Sequence, residues 1–168
     1  MELTHYQESS IQIITGDRGV GKSTYCLRRI EEAIEKGWKV AGLLSIALIR
    51  EGEKLDIEIE DVKSGKKHLL ASRISNSING PRLGPWFFDE ETIKWGNELL
   101  MRATPCDLLV VDELGILEFD QKQGFISAFD ILDQGDFQLA LVVIRPEYLD
   151  RALSNWPRSE VIWINQQE

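Results

Sequence analysis

The sequence predicts a three-layer α/β fold whose sheet is mainly parallel, with an antiparallel meander inserted after the second strand. Three observations carry this. Short apolar strands alternate with helical segments along most of the 168 residues, the order that builds a helix-covered parallel sheet with right-handed crossovers. Leu108-Leu109-Val110-Val111 is an unbroken apolar run, as expected of a strand buried on both faces. Leu55-Asp56-Ile57-Glu58-Ile59-Glu60 instead alternates apolar and acidic residues, the mark of an antiparallel strand with one wet face.

Taken in order, Ser10 to Thr15 reads as a β-branched strand, and Lys22 to about Lys36 as a helix with Leu27, Ile30, Ala33 and Ile34 on one face. Gly37 ends that helix, and Trp38 to Ile49 forms a long apolar strand. Turns at Glu51-Gly52-Glu53-Lys54 and Ser64-Gly65-Lys66-Lys67 bound the meander, whose last strand passes through Leu69 and Leu70. Ser72 to Phe88 is rich in Ser, Asn, Gly and Pro and reads as a long loop. Asp89 caps a helix with Ile93, Gly96, Leu99, Leu100 and Ala103 on one side, and Pro105 stops it before the strand at Leu108. A helix near Gln121 to Asp133 (Phe125, Ala128, Phe129 and Leu132 inward), a strand from Phe137 to Ile144, a short helix from Pro146 to Leu153 and a strand from Glu160 to Ile164 complete the chain. No repeat or linker divides it, so 1–168 is read as one domain.

The connection between the first strand and first helix is Gly16-Asp17-Arg18-Gly19-Val20-Gly21-Lys22-Ser23, which fits G-x-x-x-x-G-K-[ST] at every fixed position. The glycines let the backbone bend tightly and bring its N–H groups against phosphate oxygens. The helix starting at Lys22 aims its free N–H groups and dipole at the same anion. In this P-loop, Lys22 is expected on the β- and γ-phosphates, the Ser23 hydroxyl on Mg²⁺, and Thr24 towards the nucleotide. Ligands in such sheets sit at the carboxyl edge of the strands. The strand from Leu108 ends there in Asp112-Glu113. Asp112 suits the carboxylate that holds the Mg²⁺ shell, and Glu113, pointing the other way, suits a group that orients or deprotonates water. Arg145 closes the strand ending at Ile144 on the same edge, either as a γ-phosphate sensor or as an ordinary surface arginine.

Composition narrows the partners. A net charge of −9 argues against a nonspecific nucleic-acid or anionic-membrane surface, which needs a basic face. Abundant carboxylates make Mg²⁺ the natural bridge to a triphosphate. The longest apolar run, Val40 to Ile49, is too short to span a membrane, and no basic-then-apolar leader precedes the first strand. Cys26 and Cys106 share no metal-ligand spacing and read as core thiols in a reducing cytoplasm. His5 and His68 read as surface residues, and Trp156 and Trp163 as packing. Trp86-Phe87-Phe88 reads as an anchor for the following helix rather than as a wall for a base. The sequence names no protein partner.

The chain resembles the small nucleoside-triphosphatases first described from thermophiles. Their pattern runs Gly-x-x-Gly-x-Gly-Lys-Thr-Thr, a Gly-Phe-x-Thr strand leading to Val-Arg, then Arg-Val-Gly, then Asp-Glu-Ile-Gly-Lys-Met-Glu. Here stand Gly16 to Thr24, Gly42-Leu43-Leu44-Ser45 leading to Ile49-Arg50, Arg82-Leu83-Gly84, and Asp112-Glu113-Leu114-Gly115-Ile116-Leu117-Glu118. The resemblance implies a P-loop NTPase fold and slow, Mg²⁺-dependent hydrolysis of ATP, GTP and other NTPs to NDP and phosphate. It nominates Lys22, Ser23, Asp112 and Glu113, with Arg50, Arg82 and Glu118 as secondary positions. The chain departs from the family at Arg18 (usually Pro), Leu48 (acidic), Pro85 (polar) and Ile116 (Lys). Beside a γ-phosphate, Arg18 would either stabilise transition-state charge in cis or block water.

Two other readings stand beside hydrolysis. A P-loop kinase of this size usually carries an Arg-rich lid, and 72–88 holds only Arg73 and Arg82. A non-catalytic nucleotide-sensing module is compatible with the altered positions. A GTP-specific switch lacks its Asn-Lys-x-Asp guanine reader.

Overall fold

β1 (Ser10–Thr15) is hydrogen-bonded in parallel on both sides, to β8 (Phe137–Ile144) and β9 (Glu160–Trp163), which is why its second half, Ile13 to Thr15, is fully buried. The computed structural model describes residues 8–19, 21–74 and 78–165. Within them one nine-stranded sheet runs β5-β6-β4-β3-β2-β7-β8-β1-β9, with β2 at Val40–Arg50, β3 at Glu53–Asp61, β4 at Lys67–Ser72, β5 at Arg82–Leu83, β6 at Trp86–Phe88 and β7 at Cys106–Leu114.

The sheet is mixed rather than mainly parallel. The pairings β2–β7, β7–β8, β8–β1 and β1–β9 are parallel, but β2–β3, β3–β4, β4–β6 and β6–β5 are all antiparallel. The meander therefore extends the same sheet as a second half instead of standing apart from it. It also takes in residues expected to form a loop: Arg82–Leu83 and Trp86–Phe88 pair as a small hairpin around Gly84-Pro85 and dock on β4.

Alternation along the central strands separates two cores. Ile14, Leu44, Leu108, Val110, Leu141 and Val143 face α1 (Lys22–Glu35), meeting Cys26, Ile30 and Ala33. Ile13, Leu43, Leu109, Val111, Ala140 and Val142 face the other way, against Ile93 and Leu100 of α2 (Glu90–Met101), Ala128, Ile131 and Leu132 of α4 (Ser127–Gln134), and Ala152 of α5 (Leu149–Asn155). Helices thus cover both faces. α2 begins as the sequence suggests, with the Asp89 carboxylate accepting from the Glu91 and Thr92 amides. Gly96 faces Phe125 so closely that a Cβ there would overlap the ring.

The helix expected near Gln121 to Asp133 is instead an irregular stretch followed by α4, with a separate four-residue α3 (Ile116–Phe119) ahead of it. Lys122 and Gly124 hold positive φ angles of 52° and 72° in that stretch, which no helix tolerates. The expected short helix at Pro146 begins as a 3-10 turn, Pro146–Tyr148, before α5. Both cysteines are buried and free; burial raises the Cys26 thiol pKa and pushes that of Cys106 up to about 12. Trp156 is buried as expected, but Trp163 is 54% exposed. His68 is exposed and stacks on Trp95 at 4.0 Å; His5 lies outside the described residues. No helix among the described residues is long and apolar enough to cross a membrane.

Candidate active site

β1 delivers the chain to Gly16, which is buried at a φ of 151°. Gly19 and Gly21 follow with φ of 74° and 95°, values that L side chains disfavour. Asp17, Arg18 and Gly19 are exposed on the outer turn, and Val20 lies outside the described residues. The loop closes when the Gly21 carbonyl accepts from the Tyr25 amide, starting α1. Lys22 folds back so that its Nζ donates to the Gly16 carbonyl at 2.7 Å. Thr24 is exposed on the first helical turn.

β7 brings the acidic pair to this loop. It runs past the apolar core through Asp112 and Glu113 to Leu114, two places further along the sheet from β1. The Ser23 hydroxyl donates to Asp112 Oδ2 at 2.7 Å, and the Ser45 amide of β2 donates to the same oxygen at 3.1 Å. Asp112 is only 2% exposed. Burial pushes its carboxyl up to about 7 and the neighbouring Glu113 charge adds to the rise, while the bonds from Ser23 and Ser45 and the charge of Lys22 pull it back. Glu113 turns to the other side, where Arg145 Nε donates to its Oε1 at 2.8 Å. Among the described residues its Oε2 has no protein donor.

The secondary positions separate. Glu118 is buried and accepts from the Gly115 amide (2.8 Å) and the Phe125 amide (2.9 Å), pinning the chain that follows the acidic pair. Arg50 pairs with Asp56 across the β2–β3 hairpin at 3.5 Å. Arg82 stays within its own hairpin, donating to the Gly84 carbonyl and lying over Phe87. Sequence reasoning missed the tie between Arg145 and Glu113; no motif marks it. A cavity of about 480 Å³ lined by Phe119, Lys122, Ile126, Phe129 and Arg151 includes no P-loop or β7 residue in its lining, and of the candidate positions touches Glu118 alone.

For a metal, Ser23 Oγ and Asp112 Oδ2 are two adjoining hard oxygen donors. No cluster of three or more His, Cys, Asp or Glu side chains suited to a metal occurs among the described residues. The donor set therefore fits Mg²⁺, which commonly takes one or two protein ligands and completes its shell with substrate phosphates and water.

Comparison with known proteins fits this arrangement. A family model described as NTPase matches residues 12–168. The nucleoside-triphosphatase THEP1 of Methanosarcina barkeri is 34% identical over 134 residues, covering 79% of this chain and 75% of that protein. That of Caldivirga maquilingensis is 26% identical over 148 residues, covering 88% and 79%. The solution structure of a human cancer-related nucleoside triphosphatase superposes with a TM-score of 0.72 at 19% identity, over 95% of this chain and 90% of that one. The crystal structure of THEP1 from Aquifex aeolicus gives 0.63 at 17%, over 94% and 90%. At those identities the structures speak for the fold.

Proposed function

Because the chain belongs to the NTPase family, we propose that it hydrolyses ATP, GTP and other nucleoside triphosphates to the diphosphate and phosphate with Mg²⁺, as one domain acting in the cytoplasm. The observation that carries this is the 2.7 Å bond from Ser23 to Asp112. It joins the phosphate-binding loop to the acidic strand end, one residue before Glu113.

In this reading the N–H groups of Gly16 to Gly21 and the tip of α1 receive the β- and γ-phosphates. Lys22 exchanges the Gly16 carbonyl for phosphate oxygens. Ser23 and Asp112 hold Mg²⁺, which when bound supplies positive charge to the phosphoryl oxygens. Arg145 fixes Glu113 through Oε1, so Oε2 faces a water and accepts its hydrogen bond. The water oxygen forms the new bond to the γ-phosphorus and the bond to the β,γ-bridging oxygen breaks. The electron pair leaves with the diphosphate and the water's proton passes to Glu113 or to a phosphate oxygen.

Phosphate release from several NTPs with Mg²⁺ and no added acceptor tests the proposal. Wild type should release phosphate, and Glu113→Gln should lose about 10²- to 10⁴-fold in kcat while still binding nucleotide. Release only with an acceptor would indicate a kinase instead. The Arg145–Glu113 ion pair also suits a sensor whose carboxylate is engaged. Tight binding with no release from wild type would establish that second reading.

A further inference from the structure

We propose that the cavity lined by α3, α4, α5 and the loop before α4 is a second ligand site, for a small aromatic anion, separate from the phosphate-binding loop. Its volume of about 480 Å³ falls in the range of roughly 300 to 1,000 Å³ typical of small-molecule sites. Phe119, Ile126 and Phe129 give it an apolar wall, and Lys122, Arg151, Ser154 and Asn155 give it polar groups. A mainly apolar lining with a few polar side chains that fix orientation is the makeup of such sites.

The apolar wall is fixed from behind. Phe119 meets Phe129 edge-on at 5.3 Å and stacks on Tyr148 at 5.2 Å, and Phe129 stacks on Trp156 at 5.8 Å. The Trp156 indole N–H donates to Asp133 at 2.9 Å, which anchors the last ring of the set. Ile126, by contrast, is 43% exposed. A ligand therefore meets a wall already in place, and little side-chain ordering opposes its binding.

Charge selects the ligand. Both Nη atoms of Arg151 are engaged, one with the Asp120 carboxylate and one with the Phe119 carbonyl. Its charge is balanced there, and a guanidinium held in this way offers a flat face on which an aromatic ring stacks. Glu118 is the one acid in the lining, and its two oxygens accept from the Gly115 and Phe125 amides of its own loop. Lys122 differs from both. It has no hydrogen-bond or ion-pair partner among the described residues, yet the loop carrying it is held: the Gln123 amide donates to the Leu117 carbonyl at 2.8 Å, next to the Phe125 bond to Glu118. Asn155, ending α5, adds a side-chain amide that likewise has no partner among the described residues. An unbalanced cation beside an apolar wall matches an anionic group carried on an apolar body, and the rings and guanidinium favour an aromatic one. No P-loop or β7 residue lines the cavity, so its occupant leaves the phosphate-binding loop free.

The test is a fluorescence titration of the full chain with anilinonaphthalene sulfonate, an aromatic anion, and with phenylnaphthylamine, the same rings without the sulfonate. Both are run with and without Mg²⁺ and a non-hydrolysable triphosphate analogue. Wild type should take up one equivalent of the anion whether or not the analogue is present. It should bind the neutral compound at least about tenfold more weakly, for want of one charge-assisted contact. Lys122→Ala should weaken the anion by the same factor and leave the neutral compound unchanged. Ile126→Glu should weaken both, with Tm unchanged because the position is exposed. Uptake that does not saturate, displacement by the triphosphate analogue, or affinities unchanged in both variants would overturn the site. Equal affinity of wild type for the two compounds would overturn an anion as its ligand.

Discussion

Asp112→Asn should make the metal-free protein more stable at pH 8 while removing its activity. The carboxylate is buried, and its donors among the described residues are Ser23 Oγ and the Ser45 amide, both on Oδ2. Its pKa rises from 3.8 to about 7 on folding, so the native state binds the proton more tightly than the unfolded chain does. Stability then falls as pH rises from near 4 to near 7, and is flat above. Each tenfold difference in proton affinity between the two states is worth about 1.4 kcal/mol, so ionising this one group costs about 2 to 3 kcal/mol between pH 5 and pH 8. Asparagine keeps an acceptor for Ser23 and Ser45 without the charge. The variant should gain about that much over wild type on moving from pH 5 to pH 8, or roughly 5 to 10 °C in Tm for a chain of this size. Urea or thermal unfolding in chelator at the two pH values measures it. A variant whose stability relative to wild type is the same at both pH values would refute the reasoning.

Three further outcomes are expected. Lys22→Ala should abolish nucleotide binding, and unchanged affinity in a titration would contradict the assigned role. Gly42→Ala should cost about 3 kcal/mol or more in a urea titration, because φ there is 124° and a Cβ would overlap the Val110 backbone; a near-neutral result would mean that β2 and β7 are not packed as described. Glu118→Ala should cost about 2 to 4 kcal/mol by stranding the Gly115 and Phe125 amides, and Glu118→Gln much less. Equal costs for the two variants would show that those bonds are not what Glu118 provides.

Local patterns make much of the fold legible. The unbroken run through Leu108 to Val111 reports burial directly, and the G-x-x-x-x-G-K-S stretch carries its own geometry. The expected face of α1 is right only at Ile30 and Ala33, which are buried beside Cys26, while Leu27 and Ile34 are exposed, so the buried stripe lies one residue round the helix. The hairpin at Arg82–Leu83 and Trp86–Phe88 is hidden because Gly and Pro dominate a segment whose strands are two and three residues long. Helical spacing overextends α4 towards its N-terminus, because Phe125 keeps the period even though Gly124 turns the backbone the other way. The balance of parallel and antiparallel strands is invisible for a different reason: it depends on β2 pairing on both edges, with β7 and β3. At the site, P-loop and strand-end chemistry point to Ser23 and Asp112, which lie 89 positions apart in the chain. The Arg145–Glu113 pair is a tertiary consequence that no spacing encodes.

A nine-stranded sheet is a template for recruiting further chains unless its borders are blunted. Here one border is the two-residue β5, bearing Arg82, and the other the four-residue β9, bearing Glu160. Each leaves only a few open backbone groups, and each carries a charge, two standard defences against edge-to-edge growth. With a net charge of −9 on every copy, the sheet is self-limiting, and fibrillation should stay rare until one border is lengthened or neutralised.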